Sequence, residues 1–248
     1  MTSEDKWRIL LVLPQLPQDP TSGASRSMRA AARVLKQAGF HVRCLATTAT
    51  EGALTCPISD FLRNSRVAVS KVGRELRFTE QSIFFRLLST GGLPLNQIDL
   101  CFGRAFDAIF RDELGSFRSD AVFTYWGVER DRRRFQLARQ NGTKIIYGLR
   151  NHAYDHRYCF DLVDAILPPS QALSDYYRGT FGIESTAIPS LMNEDEVLAP
   201  RRDPIFITFI NPTIGKGVTV MARLAEEHRR DGRIFRSSSS KAVDQQAI

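Results

Sequence analysis

A glycine-rich turn near the end of the chain carries the residue types of a phosphate-binding site. An apolar run, residues 204–210, leads into Asn211 and then into Gly215, Lys216 and Gly217. Backbone N–H groups at the start of a helix lack intrahelical partners and lie at the positive end of its dipole, so such a turn binds anions. Lys216 adds a full positive charge beside these groups. An ordinary βα turn with a solvent-exposed lysine is the alternative interpretation.

The composition narrows the possible partners. The formal net charge is +7, and a positive field attracts phosphates, nucleic acid or an anionic membrane surface. We expect no nucleic-acid partner, because the sequence has no basic stripe interleaved with aromatic residues and no zinc-finger spacing. The four cysteines lack the spacing of zinc ligands or of a disulfide framework, so we expect no metal site and four buried thiols in a reducing compartment: Cys44, Cys56, Cys101 and Cys159.

Apolar segments in the chain are too short for a signal peptide or a membrane span. The apolar run at residues 9–13 is ended by Pro14, well short of the length that either needs. We therefore expect a cytoplasmic protein, for which the positive charge makes the inner face of a membrane a candidate peripheral surface.

Apolar runs of strand length alternate with helical patterns along the chain. Residues 8–14 are continuously apolar after Arg8, which is typical of a central parallel strand buried on both faces. A helix that ends before Gly39 and an alternating strand at residues 40–47 complete a βαβ unit. Further strands are predicted at residues 67–72, 75–79, 120–125, 144–149, 164–167 and 185–188, and helices at 58–63, 81–88, 98–114, 129–140 and 170–180. This order predicts a doubly wound, mostly parallel, Rossmann-like α/β sheet that binds ligands at the carboxyl ends of its strands.

The sequence predicts two domains of unequal size. Residues 1–192 form the large α/β domain, and the polar residues 193–204 form a linker. Residues 205–235 begin a second α/β domain with one strand, one helix and the start of another strand. Residues 236–248 lose apolar periodicity and are predicted to be a disordered or aberrant tail. We therefore expect the second domain to be incomplete and the chain to be truncated.

Five short motifs occur in an order that is typical of one enzyme family. They lie at residues 22–26, 38–42, 164–170, 188–190 and 211–217. Together they resemble the family-4 retaining glycosyltransferases, which have the two-domain GT-B architecture. The resemblance implies an acceptor-binding N-terminal domain and a C-terminal domain that binds a nucleotide-sugar donor. It implies transfer of the sugar to a hydroxyl group of a sugar, lipid or small molecule, with no cofactor besides the donor.

The resemblance also implies roles for single residues. Two are implied to be catalytic: His152 beside the transferred sugar, with a surface or core histidine as the alternative, and Lys216 beside the departing diphosphate. Tyr125 and Trp126 follow a strand and are candidates for stacking on an acceptor ring, although aromatic residues there are usually core. Asn211 stands where many relatives have an arginine, which implies either weaker diphosphate binding or a contribution from residues elsewhere. The residues implied to bind the donor diphosphate or the acceptor are Gly23, Ala24, Ser25, Asn211, Gly215 and Gly217.

Two classes of function remain open. The first is a nucleotide-sugar-dependent glycosyltransferase, which we expect to be inactive as this chain because its nucleotide pocket would be missing. The second is a non-catalytic α/β module that binds a phosphate or an acceptor. The sugar, the nucleotide and the acceptor are not specified by the sequence.

Overall fold

The structure, a computed structural model, describes residues 6–50, 57–62, 71–91, 93, 95–125, 129–154, 160–192, 207–210, 214, 217–230 and 237–240. The chain divides into two compact units, Met1–Asn193 and Glu194–Ile248. Each unit contains its own β-sheet.

The larger unit alternates strands and helices as its sequence pattern predicts. Its described strands are β1 (Arg8–Val12), β2 (His41–Thr47), β3 (Glu75–Glu80), β4 (Ile83–Leu88), β5 (Ala121–Thr124), β6 (Lys144–Tyr147) and β7 (Ala165–Ile166). Its described helices are α1 (Gly23–Gln37), α2 (Ile58–Phe61), α3 (Ile98–Glu113), α4 (Glu129–Gln140) and α5 (Gln171–Phe181).

The seven strands form one sheet in the order β3-β4-β2-β1-β5-β6-β7. Neighbouring strands run parallel except β3 and β4, which pair antiparallel at the edge of the sheet. Strand β1 lies at the centre, with Leu10 opposite Arg43 of β2 on one side and Val122 of β5 on the other. The predicted doubly wound, mostly parallel α/β fold is confirmed.

Strand β1 is apolar after Arg8 because both faces of the sheet are covered. Leu10 and Val12 join a core cluster with Phe106 of α3 and residues of α4 and α5. Ile9 and Leu11 point to the opposite face and join a second cluster that includes α1. Fully burying one such side chain stabilises the fold by about 1.5–3 kcal/mol. Two cores therefore fix the central strands whose ends form the candidate site.

The prediction of a helix at residues 81–88 is wrong, because this segment forms strand β4. Gln81 and Ser82 adopt positive φ angles of 50° and 62°, and Ile83 then pairs back onto Glu80 as a hairpin. Paired left-handed residues suit a tight hairpin turn but usually include Gly, Asn or Asp, so this turn lacked its sequence signal. A strand covered on both faces reads as a continuous apolar run, which periodicity cannot separate from a buried helix.

Two further strand predictions are corrected, one of them only over its described residues. Residues 185–188 are not a strand, although the N–H groups of Thr186 and Ile188 donate to Ile166 and Pro168 beside β7. Residues 71 and 72 are not in a strand, and the rest of the predicted strand at 67–72 lies outside the described residues.

The prediction of buried cysteines is confirmed for one of the two that the structure describes. Cys44 is buried, and burial raises the pKa of its thiol far above the ordinary value. Cys101, predicted to be buried, is exposed because its side chain lies on the solvent face of α3. Cys56 and Cys159 lie outside the described residues.

The smaller unit contains a strand, a helix and a second strand: β8 (Ile207–Ile210), α6 (Val218–Arg230) and β9 (Ser237–Ser240). The two strands are parallel, with Ile207 opposite Ser237. The strand predicted at residues 232–235 lies outside the described residues, and β9 occupies part of the predicted tail. Such a ladder uses backbone hydrogen bonds, which a run of serines supplies as well as other residues do.

Candidate functional site

The sheet reverses its winding direction at β1. The chain passes from β1 to β2 on one side and later returns to place β5 on the other side. The loops that follow β1 and β5 therefore diverge and leave a crevice outside the carboxyl ends of these strands, which is where open α/β sheets bind ligands. Described residues from three segments lie near this edge: the loop between β1 and α1, Tyr125 after β5, and residues 150–154 after β6.

The first segment is the loop between β1 and α1, which its own side chains hold in place. Asp19 accepts hydrogen bonds from the backbone N–H and the hydroxyl of Thr21, at 2.8 and 2.6 Å. Thr47 at the end of β2 donates to the Pro14 carbonyl at 2.6 Å. Ser22 caps α1 by accepting from the N–H of Ser25 at 3.2 Å. The start of α1 is therefore fixed at the carboxyl end of the sheet.

Gly23 and Ala24 form the first turn of α1. Gly23 is exposed, and its φ angle is not in the left-handed region. A Cβ atom added there would meet nothing within 4 Å, so neither the backbone nor packing against described residues requires glycine. The space in front of Gly23 is open, and its role in ligand approach stays a prediction.

Two of the predicted site residues, Ser25 and Tyr125, are in contact. The Ser25 Oγ and the Tyr125 Oη lie 3.3 Å apart, and both residues are buried. The ring of Tyr125 is only 6% exposed and belongs to the core cluster that includes α1. Both hydroxyls are enclosed, so contact between a ligand and either of them, like stacking on the ring, requires local movement and stays a prediction. Trp126, the other predicted stacking residue, lies outside the described residues.

The segment that follows β6 is held in place by hydrogen bonds to Tyr125 and to α5. The Tyr154 hydroxyl donates to the Tyr125 carbonyl at 2.8 Å, and the Tyr154 N–H donates to the Tyr177 hydroxyl at 3.2 Å. Tyr177, fully buried on α5, donates in turn to the Asn151 carbonyl at 3.1 Å. These bonds hold residues 151–154 beside the end of β5.

His152, one of the predicted catalytic residues, lies on this tied segment. Its side chain is exposed, and its ring meets the edge of Tyr176 with the centroids 4.5 Å apart and the planes at 84°. The imidazole is therefore not a buried core histidine. Contact between His152 and a substrate stays a prediction.

Arg150 is a residue of this edge that sequence reasoning missed. Its Nη1 donates to the Ser27 Oγ at 3.2 Å and its Nη2 to the Met28 Sδ at 2.9 Å, both on α1. Burial lowers the pKa of the guanidinium, while nearby tyrosines, Tyr125 foremost, act in the opposite direction. The sequence signal that could have identified Arg150 is its position as a charged residue directly after the apolar run that forms β6.

The predicted diphosphate residues of the smaller unit are only partly described. Asn211, Gly215 and Lys216 lie outside the described residues. Gly217 has a φ of 85°, which favours glycine, and its N–H donates to the Ile214 carbonyl at 3.0 Å. Helix α6 begins one residue later and has no acidic residue in its first turn. The roles of these residues in binding a diphosphate stay predictions.

The described residues contain neither a cluster of metal ligands nor a helix that could span a membrane. No group of three or more His, Cys, Asp or Glu side chains within the described ranges could hold a metal ion. No helix in the described part of the chain is both long enough and apolar enough to cross a membrane.

No protein-family model matches the chain, and no curated protein matches it. Solved structures do resemble it. A candidate UDP-N-acetylglucosamine 2-epimerase from Listeria monocytogenes has a TM-score of 0.52 at 10% identity over 97% of this chain and 71% of its own. A trehalose-6-phosphate structure from E. coli, bound with UDP-2-fluoro glucose, has a TM-score of 0.52 at 10% identity over 93% and 64%. The UDP-GlcNAc 2-epimerase from Neisseria meningitidis, bound to UDP-GlcNAc, has a TM-score of 0.50 at 12% identity over 94% and 64%.

These similarities establish the fold. At 10–12% identity they show that this chain shares an α/β, Rossmann-like architecture with those proteins. The chain spans less than two thirds of the E. coli and Neisseria meningitidis structures. What those proteins bind and catalyse is therefore a basis for a proposal about this one.

Proposed function

We propose that this chain is part of a nucleotide-sugar-dependent glycosyltransferase whose Met1–Asn193 unit binds the acceptor. The observation that carries the proposal is the contact between Ser25 and Tyr125 at the carboxyl ends of β1 and β5, tied through Tyr154 to the segment that carries His152. Residues predicted separately as ligand contacts are thus held on three segments at one edge. Two solved structures of similar fold were determined with a UDP-sugar bound.

The sequence resemblance supplies the finer part of the proposal, which is retaining transfer of the family-4 type. In this mechanism His152 hydrogen-bonds the transferred sugar or the charge that develops on it, and Lys216 stabilises the departing diphosphate. Both actions are electrostatic and act where charge builds up in the transition state. Hydroxyl groups such as those of Ser25 and Tyr125 both donate and accept hydrogen bonds, which suits them to orient the hydroxyl groups of an acceptor.

Two other outcomes are distinguished by their products. Epimerisation, the activity named for two of the similar structures, converts a nucleotide sugar to an isomer of equal mass. Transfer releases a nucleoside diphosphate and adds the mass of the sugar to an acceptor. A non-catalytic module does neither, although it still binds an acceptor or a phosphate.

His152→Ala should lower sugar transfer by about 100-fold, the effect of removing one preorganised electrostatic donor. The side chain is exposed, so the midpoint of thermal unfolding should stay unchanged. The assay measures nucleoside diphosphate released from UDP-glucose, UDP-N-acetylglucosamine, GDP-mannose and ADP-glucose. Methyl glycosides, hexose phosphates and glycerol phosphate serve as acceptors. It compares parent and variant in proteins longer than the 248-residue chain that carry it.

The matched control for this substitution is His41→Ala. His41 is also exposed but begins β2, at the amino end of the sheet, so its removal should leave transfer and stability unchanged. Equal rates for His152→Ala and the parent protein would exclude a catalytic role for His152. Products of unchanged mass would identify an epimerase, and binding without turnover would identify the non-catalytic module.

A further inference from the structure

The guanidinium of Arg150 lacks a carboxylate partner among the described residues. By contrast, the two arginines that are buried among the described residues are each neutralised by several carboxylates. Arg86 contacts Glu75, Asp112 and Glu113, and Arg134 contacts Asp99, Asp107 and Asp131. A cation taken out of water without an anion is costly. Arg150 therefore differs from the arginines that have a purely structural role.

The hydrogen bonds of Arg150 are also incomplete. Its Nε is buried and has no hydrogen-bond partner among the described residues. Of the two acceptors that it does reach on α1, Ser27 offers a hydroxyl at 3.2 Å and Met28 offers a thioether sulfur, which accepts only weakly. A guanidinium has five N–H donors in a planar fork, and a buried donor without a partner costs stability. The guanidinium therefore has donors that its described partners do not use.

The side chains around Arg150 can take part in binding an anion. Tyr125 and Tyr154 are close enough to influence its pKa, and the Tyr125 hydroxyl shares its contact with Ser25. Hydroxyl groups can rotate to donate to an anionic oxygen. Gly148 leaves space for the guanidinium, since a Cβ atom there would lie 3.0 Å from the Arg150 Nη2.

We propose that Arg150 binds the phosphate or carboxylate group of an anionic acceptor at the carboxyl edge of the sheet. The planar fork matches two oxygens of either group and supplies a charge-assisted, bidentate contact. The hydroxyls of Ser25 and Tyr125 lie nearby for the hydroxyl groups of the same ligand. The inference rests on the proposed function only in calling this ligand an acceptor, because anion binding does not require sugar transfer.

The test measures binding of inorganic phosphate and of acetate to the purified chain, by calorimetry and by the shift in the midpoint of thermal unfolding. Sodium chloride of equal ionic strength corrects for screening. Phosphate or acetate should stabilise the parent protein, and Arg150→Met should weaken that binding at least tenfold. Without added anion, Arg150→Met should unfold at the same temperature or higher, since it removes a partly buried cation that lacks a carboxylate partner among the described residues. The anion that binds more tightly identifies the group on the ligand.

The matched control is Arg29→Met. Arg29 lies on α1, next to the Ser27 and Met28 that Arg150 contacts, but its guanidinium is paired with Glu80 at 2.8 Å, so its removal should leave anion binding unchanged. Arg150→Lys keeps the charge without the fork and should bind at least several-fold more weakly than the parent, which decides the question if Arg150→Met does not fold. Undiminished binding in the Arg150 variants, or no anion binding by the parent, would overturn the proposal. Absence of sugar transfer would leave it standing.

Discussion

Arg134→Ala should lower the free energy of unfolding by about 3–5 kcal/mol, as expected when one partner of a buried ionic cluster is removed. The Arg134 side chain is only 3% exposed and donates to Asp99, Asp107 and Asp131, each at 2.8 Å. Its guanidinium also lies 4.9 Å from the ring centre of Phe106. Without the arginine, three clustered carboxylates repel one another at the junction of α3 and α4. Urea unfolding measures the loss.

Arg132→Ala is the control for this prediction. Arg132 lies on the same helix, but its side chain is 39% exposed and its contact with Asp161 is 3.4 Å long. An exposed ion pair contributes about 0–1 kcal/mol. Equal effects of the two substitutions would show that the cluster around Arg134 does not anchor α4 to α3.

Arg86→Ala should also lower the free energy of unfolding by about 3–5 kcal/mol. The guanidinium lies in β4 and joins three elements of the fold. It donates from Nε and Nη2 to Glu75 on β3, at 2.9 and 3.0 Å, and from Nη1 to Asp112 and Glu113 on α3. Removing it leaves the nearly buried Glu113 with Arg43 alone among its described ion-pair partners. The measurement is again urea unfolding, at neutral pH.

Arg86 and Arg77 both contact Glu75, but they should affect the pH dependence of stability differently. The hydrogen bond from Arg86 is the main cause that holds the pKa of Glu75 below its ordinary value of 4.5. This depressed pKa contributes stability that is present above pH 4.5 and is lost as the pH falls through the native value. The difference in the free energy of unfolding between Arg86→Ala and the parent should therefore become smaller as the pH falls below 4.5. Arg77→Ala removes a more exposed partner of Glu75 and should have a small effect; a large one would contradict this account.

The sequence predicted most of the large unit because its elements carry strong local signals. Strand β1 is a continuous apolar run, and Ser22 and Ser170 provide the N-caps of α1 and α5. Strand β4 was predicted as a helix because its turn, Gln81-Ser82, contains none of the residues that normally mark left-handed backbone. Local sequence thus predicts an element correctly where a capping or turn residue favours one backbone conformation. It fails where tertiary packing determines the conformation.

The candidate site could be predicted only in part. Ser25 was selected through the family resemblance and Tyr125 from its place at the end of a strand, but their contact joins residues 100 positions apart and depends on β1 and β5 being neighbours. Arg150 was passed over because an arginine after a strand is usually paired or solvated. Its lack of a described carboxylate partner is a property of the folded chain, which local sequence does not contain.

The position of the acceptor site is tested most directly by two matched glycine substitutions, Gly23→Trp and Gly179→Trp. Both glycines are exposed and outside the left-handed region, and a Cβ atom on either would meet nothing within 4 Å. Neither indole should therefore disturb the fold. Gly23 begins α1 in front of the edge formed by Ser25 and Tyr125, whereas Gly179 lies near the end of α5.

The measurement is nucleoside diphosphate release from the nucleotide sugars with the acceptors named above, at equal thermal stability of the variants. The account predicts that Gly23→Trp abolishes transfer because the indole occupies the space in which the acceptor binds, and that Gly179→Trp retains the activity of the parent. Full activity in Gly23→Trp, or no transfer by any protein that carries this chain, would contradict it.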